Sequence, residues 1–199
     1  MAARPSDPDK YRRIIQAARD VLARNGYAEA TISQVAAEAG VSRGLLHYYF
    51  TNKEDMMARA VRAGAEVSLN VVESVFQANR TPSDLARGFR EGLKAIAQGD
   101  PNFIHLMLES WAVSRRSQVV AGELRANYRL FRQAVGGELQ RALEEKRIST
   151  PIPVQTLAAL LIGLFDGLGL QLVLEPDLLS TPGVIEGIES AIRGWLTFG

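Results

Sequence analysis

The side chains whose types and spacing suit a chemical task are concentrated between Thr31 and Lys53. If Ser42 caps a helix there, apolar residues fill its inner face and Arg43, Gly44, His47 and Tyr48 remain outside. A helix that enters a DNA major groove needs groups that hydrogen-bond to base edges and phosphates, and it needs no bulk where the backbone comes close. These outward residues meet both needs, although an ordinary helical hairpin with a solvated polar face has the same pattern.

Two short helices joined by a tight turn must position those groups. Thr31 followed by Gln34 forms a capping box, and the apolar residues after it recur at helical spacing. Gly40 follows the last periodic residue, where a left-handed residue ends a helix, and Ser42 begins the second helix. The sequence therefore predicts a helix-turn-helix in the stretch from Thr31 to Lys53.

Lys53 opens a third helix that Asn52 caps and that Glu54 and Asp55 suit, since acidic side chains favour the positive end of the helix dipole. A lysine in this first turn opposes the dipole. Its position is favourable if a phosphate binds there, although a single surface lysine also occurs by chance.

The stretch resembles the DNA-binding domain of the TetR family of bacterial repressors. The resemblance covers roughly residues 10 to 60 and rests on Thr31, Val35-Ala36, Ala39-Gly40-Val41-Ser42, Gly44, Tyr49-Phe50, Lys53, Ile14 to Ala18 and Asn25-Gly26-Tyr27. His47 departs from the family, which usually has tyrosine there, so the contact at that place differs. Pattern and resemblance together assign DNA contact to Thr31, Ser33, Ser42, Arg43, Gly44, His47, Tyr48, Tyr49 and Lys53.

Charge and composition bound the function further. Residues 1–64 hold ten Lys or Arg and seven Asp or Glu, a net charge of +3, while the remaining 13 and 15 leave −2 for the rest of the chain. A basic first third on a mildly acidic body suits a DNA-binding protein. The chain has no cysteine, which excludes disulfides and thiolate chemistry and fits a reducing cytoplasm. We find no phosphate-cradling loop, metal-ligand cluster or nucleophile with a base, and expect neither an enzyme nor a cofactor or metal.

The helical pattern continues to the end of the chain and predicts an all-α protein. We expect a flexible arm at residues 1–10, a bracing helix over 10–25, and a DNA-binding domain that ends at residue 52. A helix from Lys53 to about Asn79 follows, long enough to connect that domain to a helical body over 53–199. Further helices are predicted from Pro82, from Pro101, over 118–146, over 154–174, and from 181 to about 198.

Residues 154–174 are almost entirely apolar, so a membrane span has to be weighed. Asp166 near the middle costs about 2.5 to 3.5 kcal/mol on insertion scales, which argues against a span. A helix that is apolar all round is otherwise buried, and Gly163 and Gly167 allow a second helix to approach closely. The family resemblance implies that the last two helices form a four-helix bundle in a homodimer. We expect that dimer, and no membrane.

Relatives in the resembling family commonly bind a small molecule among the middle helices. The residues expected to line such a pocket are Phe89, Phe103, Met107, Trp111, Tyr128, Phe165 and Asp166. Core aromatics at helical spacing are the alternative. Glu109 and Asp166 need partners in apolar surroundings: an internal arginine is one interpretation, and a cationic ligand is the other.

The function expected from these observations is that of a cytoplasmic, dimeric, sequence-specific transcriptional regulator. It would be a repressor that binds a palindromic operator in double-stranded DNA and is released by a small-molecule effector. The alternative is a helical adaptor protein that does not read DNA.

Overall fold

The computed structural model describes residues 7–78, 81–99 and 101–196 of the chain. Nine α-helices and one short 3₁₀ turn occupy these ranges. The helices are α1 Pro8–Glu29, α2 Ile32–Ala39, α3 Arg43–Tyr49, α4 Lys53–Ala78, α5 Pro82–Gly99, α6 Pro101–Ser114, α7 Gln118–Glu144, α8 Val154–Leu174 and α9 Val184–Trp195. The 3₁₀ turn spans Leu178–Ser180. The all-α prediction, with a helix-turn-helix at the N-terminus and a helical remainder, is confirmed.

α1 starts earlier and ends later than predicted. The Asp7 side chain accepts the N–H of Lys10 at 3.0 Å and Pro8 occupies the first turn, so both start signals lie before residue 10. The predicted flexible arm therefore includes helical residues, and its first six residues lie outside the described ones. At the other end Gly26, at φ 72° and ψ 164°, interrupts the helix without ending it.

The helix-turn-helix forms through the predicted caps. Thr31 and Gln34 make the capping box, Gly40 is left-handed at φ 64° and ψ 40°, and the Ser42 side chain accepts the N–H of Leu45 at 3.3 Å. Asn52 accepts the N–H of Asp55 at 2.8 Å at the start of α4. Each side-chain cap joins residues three apart, and Gly40 acts through its own backbone conformation. Such local features can be predicted from the sequence alone.

The described chain divides into two compact units that interleave along the sequence. Unit 1 comprises residues 1–65 and 105–126, and unit 2 comprises residues 66–104 and 127–199. These units group residues by packing, and the domain boundary expected at residue 52 remains a prediction. The core of unit 1 takes Leu106, Val120 and Leu124 from later in the chain, because α1, α2 and α3 alone do not enclose their own apolar faces.

Unit 2 has its own apolar core. Leu93, Leu139, Ile148, Leu157 and Ile192 are all 1% exposed or less at its centre. The segment between α7 and α8 contains Pro151 and Pro153 and separates the helices as predicted.

The last helix is shorter than predicted. Gly183, at φ 86°, lies between Pro182 and the first residue of α9, so the helix starts at Val184 rather than at residue 181. The predicted end near Phe198 falls on residues 197–199, outside the described ones. α8 has the predicted bounds.

Candidate nucleic-acid interface

α3 has one buried and one exposed face. Leu46 is fully buried and Phe50, which caps the helix, is 1% exposed, so both anchor α3 in the core of unit 1. Arg43, Gly44, His47 and Tyr48 are exposed, with Tyr48 at 62%. An exposed guanidinium, imidazole and phenol on one short helix are donors and acceptors suited to base edges and phosphates.

Gly44 has no packing reason to be glycine. Apart from its chain neighbours and the backbone of its own helix, a Cβ built at this position meets no atom of the described residues within 4 Å. Glycine also lowers helix stability by about 1 kcal/mol relative to alanine. A close approach by a molecule from outside the chain would account for glycine here.

Tyr49 was assigned to DNA contact, and the structure places it in the core. It is 7% exposed, and its ring centroid lies 5.7 Å from that of Tyr11 and 5.3 Å from that of Tyr48. Its ring therefore packs α3 against α1. A DNA contact by Tyr49 remains a prediction.

The three serine and threonine residues assigned to DNA contact lie at the starts of α2 and α3. Thr31 and Ser42 are exposed, and both use their hydroxyl oxygens as helix caps. Ser33 is half-buried. The Thr31 hydroxyl donates to Gln34 Oε1 at 3.0 Å in addition to its cap. The Ser42 cap uses the oxygen only as an acceptor, so its proton is able to donate to a phosphate.

Asp55 fixes the segment that follows α3. Its carboxylate accepts the N–H of Thr51 at 3.0 Å and the Arg59 Nε–H at 2.9 Å. Burial acts to raise the pKa of Asp55, but the hydrogen bonds from Arg59 and Thr51 outweigh it, and the pKa is lowered. The ionised carboxylate therefore ties the end of α3 to α4 at neutral pH.

Lys53 makes contacts within unit 1. Its Nζ donates to the carbonyl oxygen of Ala28 at 2.7 Å and lies 4.8 Å from the centre of the Tyr27 ring. The ammonium has three donors, so one bond to Ala28 leaves capacity for a phosphate. The structure does not test this contact or the other assigned DNA contacts, which remain predictions.

Four of the residues expected to bind a ligand form two contacting pairs in unit 2. The rings of Phe89 and Phe165 meet edge to face at 5.8 Å, and the Tyr128 hydroxyl donates to Asp166 Oδ2 at 2.8 Å. Burial raises the pKa of Asp166, and the Tyr128 hydrogen bond opposes that rise only in part.

The other three residues are placed differently. Phe103 is half-buried in unit 2, whereas Met107 packs against the core of unit 1, and Trp111, also in unit 1, is 44% exposed.

An arginine was one expected partner for the two acids in apolar surroundings, and in the described part of the chain the partners are different. Asp166 accepts from a phenol, and Glu109 Oε2 accepts the backbone N–H of Tyr27 at 2.7 Å. Both groups are neutral donors and satisfy a carboxylate oxygen without bringing a second charge into the core.

Two further side-chain contacts within unit 1 join α4 to Ser117, which precedes α7, and to Glu123 on α7; no pattern in the sequence predicts them. The Ser117 hydroxyl donates to Glu54 Oε2 at 2.8 Å, and Arg62 Nε donates to Glu123 Oε1 at 2.8 Å. The residues in each pair are more than 60 positions apart, so no local spacing reveals them.

α8 carries an exposed apolar stripe. Leu160, Gly163, Gly167, Leu170 and Leu174 recur at helical spacing and are all exposed, Leu174 at 80%. Among the described helices, α8 is long and apolar enough to cross a membrane by length and composition, but a helix buried in a protein assembly passes the same test.

A helix-turn-helix with an exposed polar recognition face, joined to a helical body, defines a DNA-binding transcriptional regulator. The chain belongs to the TetR family: the family model "Bacterial regulatory proteins, tetR family" matches residues 14–60, and "BetI-type transcriptional repressor, C-terminal" matches residues 82–196. It is therefore a regulator of transcription rather than an enzyme.

Named relatives agree with this assignment. The HTH-type transcriptional regulator BetI 1 of Chromohalobacter salexigens is 26% identical over 171 residues, which are 85% of this chain and 82% of the relative. Two solved structures share the fold. FadR from Bacillus subtilis in complex with stearoyl-CoA has a TM-score of 0.71 at 20% identity, covering 92% of this chain and 96% of FadR. A transcriptional regulator from Saccharomonospora viridis in complex with choline has a TM-score of 0.69 at 19% identity, covering 94% and 95%.

Proposed function

We propose that the protein is a dimeric repressor that binds a palindromic operator through α3 and is released by a small-molecule effector. The exposed face of α3 is the observation that carries this proposal. Arg43, His47 and Tyr48 project from a helix whose other face is anchored by Leu46 and Phe50. A rigid support of this kind keeps the entropy cost of groove binding low.

The dimer is proposed from the apolar stripe of α8. Leu170 and Leu174 are 44% and 80% exposed in the single chain, and large exposed apolar side chains in a row mark an interaction surface. Gly163 and Gly167 lie on the same face, where the absence of side chains lets a second helix come close. We propose that a second copy of the chain covers this surface, because a dimer would also present two α3 helices to the DNA.

α9 has a second exposed surface, made of small residues. Gly187, Ala191 and Gly194 are exposed and recur four and three residues apart, which places them on one helical face. In our proposal α8 and α9 of two copies pack as a four-helix bundle. Two α3 helices related by a two-fold axis then read a palindrome, with their half-sites one or more DNA turns apart.

The effector region is proposed to lie in unit 2, around Phe89, Tyr128, Phe165 and Asp166. Aromatic rings beside a carboxylate suit an organic cation, because ring faces and an ionised carboxylate both attract positive charge. Choline, which the Saccharomonospora viridis relative holds, is the first compound to test. Stearoyl-CoA, which the Bacillus subtilis relative holds, is the anionic comparison.

Selection of bound duplexes from a random pool at two salt concentrations tests the DNA-binding proposal. We expect a palindrome to be enriched and its affinity to fall as salt rises, since phosphate contacts release counterions. Absence of enrichment, with weak binding at both salts, would contradict the proposal and favour the helical adaptor that does not read DNA.

The effector proposal is tested on the selected duplex. We expect choline to weaken the complex in a concentration-dependent way and stearoyl-CoA to leave it unchanged. An Asp166→Asn variant should bind DNA normally and lose the response to choline. Release by stearoyl-CoA alone would contradict the cationic effector while leaving the ligand-released repressor intact.

A further inference from the structure

We call residues 26–28, near the C-terminal end of α1, the α1–α2 link; it begins at a glycine that faces a carboxylate. Gly26 has φ 72° and ψ 164°, a combination that side chains other than hydrogen rarely tolerate. A Cβ built there would lie 3.4 Å from both carboxylate oxygens of Glu109, and Glu109 Oε2 accepts the N–H of Tyr27 at 2.7 Å. Because a Cβ at this distance would be in ordinary van der Waals contact, the positive φ rather than a lack of space calls for glycine here.

The same link is held from a second helix. Lys53, at the start of α4, donates to the carbonyl oxygen of Ala28 at 2.7 Å and lies over the Tyr27 ring. The Tyr27 side chain is half-buried, and this burial, followed by the nearby Glu54, raises the pKa of its hydroxyl. Residues 26–28 are thus held at two points: Glu109 of α6 accepts the N–H of Tyr27, and Lys53 of α4 donates to the C=O of Ala28.

This link determines where the helix-turn-helix begins. Ala30 is fully buried, and Thr31 is the N-cap of α2. α2 passes directly into α3 through the turn at Gly40. Motion of the backbone at residues 26–28 would therefore change the position of α3 relative to α1.

We propose that Glu109 is a positioning residue for DNA reading: by binding the Tyr27 N–H it holds the α1–α2 link in the conformation that places α3 for the operator. The inference rests on the proposed DNA-reading function of α3. Glu109 acts through Tyr27 and touches no DNA. Its loss lowers the fraction of molecules with α3 in place, and the apparent dissociation constant rises in proportion.

Substitutions at position 109 separate positioning from general stability. Glu109→Ala removes the acceptor, and Glu109→Gln keeps a carbonyl acceptor without the charge. We expect the operator dissociation constant to rise roughly tenfold in Glu109→Ala and by less than about twofold in Glu109→Gln. The control is Glu123→Ala, since Glu123 lies on α7 of the same unit and pairs with Arg62 instead of the link. Its operator affinity should remain close to the wild-type value. Unchanged affinity in Glu109→Ala, or equal losses in Glu109→Ala and Glu109→Gln, would overturn the proposal.

Amide hydrogen exchange provides a readout that does not need DNA. In the free protein we expect faster exchange at residues 27–49 in Glu109→Ala, with Glu109→Gln and Glu123→Ala like the wild type. If Glu109→Ala does not fold, Glu109→Asp replaces it, because the shorter side chain keeps the charge but falls short of the Tyr27 N–H. If the wild type selects no duplex, the proposed function fails, yet the exchange pattern still decides the role of Glu109. Unchanged exchange over residues 27–49 overturns that role.

Discussion

The Tyr128 hydroxyl donates a hydrogen bond to Asp166 Oδ2 at 2.8 Å, joining α7 to α8 inside unit 2. This single neutral donor does not offset the burial of the carboxylate, so the pKa of Asp166 is raised from its ordinary value of 3.8. Between pH 3.8 and the raised pKa the folded protein therefore binds more protons at this site than the unfolded chain, and folding stability falls as pH rises through that range.

Asp166→Asn should remove that pH dependence. Asparagine keeps an oxygen that accepts from Tyr128, and it has no charge to bury. We expect a higher melting temperature than wild type at pH 7 and equal melting temperatures below pH 3.8, measured by thermal unfolding across this range. Tyr128→Phe, which deletes the donor, should cost about 1 kcal/mol at pH 7. A wild type that gains stability from pH 4 to pH 7 relative to Asp166→Asn would contradict this assignment.

Two glycine substitutions should have opposite effects on stability. Gly26→Ala forces a Cβ into a backbone conformation that residues other than glycine rarely adopt, which should cost about 1 to 3 kcal/mol. Gly44→Ala places a Cβ in open space within a helix and should stabilise by up to about 1 kcal/mol. Chemical denaturation measures both changes in the free energy of unfolding.

Gly44→Ala should nevertheless weaken operator binding, because the added methyl group lies on the exposed face of α3. Affinity and stability of this variant are measured on the same preparation. A stabilised Gly44→Ala protein with undiminished operator affinity would show that no DNA group approaches position 44.

The parts of the fold that the sequence predicted depend on short-range signals. The capping box at Thr31, the left-handed Gly40 and the cap at Asn52 join residues within one turn, and all three form as expected. The bond from Tyr27 to Glu109 spans 82 positions. Its only trace in the sequence is an acid among apolar residues, which shows that a partner is needed without identifying it.

The spacing of apolar residues also could not predict that the two units interleave, because the contacts within each unit join residues far apart in the sequence. A helical stripe shows that Leu106 and Leu124 face a core, but not which core. α9 starts at Val184, after Gly183, although Thr181 and Pro182 are also a typical helix start. The local sequence does not decide between these two starts.

Arg43→Ala and Lys53→Ala should weaken DNA binding in different ways. Arg43 is exposed on α3, so its loss should cost about 1 to 3 kcal/mol and relax the preference at one base position. Lys53→Ala should reduce affinity evenly across sequences and lower the slope of affinity against salt by about one. Binding of a panel of single-base operator variants at several salt concentrations distinguishes the two. A footprint unchanged by Arg43→Ala would refute its assignment.

The apolar stripe of α8 gives a direct test of the dimer. Leu174→Asp places a charge on a side chain that is 80% exposed in the single chain, so the fold of one copy should tolerate it. If a second copy covers this position, the buried charge should cost several kcal/mol of association free energy, and the protein should sediment as a monomer. The matched control is Leu130→Asp on α7, where the leucine is 48% exposed and lies outside the stripe. A monomeric variant has one α3 per molecule and should therefore lose its preference for the palindrome over a single half-site. Retention of the wild-type mass by Leu174→Asp, or its loss by Leu130→Asp alone, would move the interface away from α8.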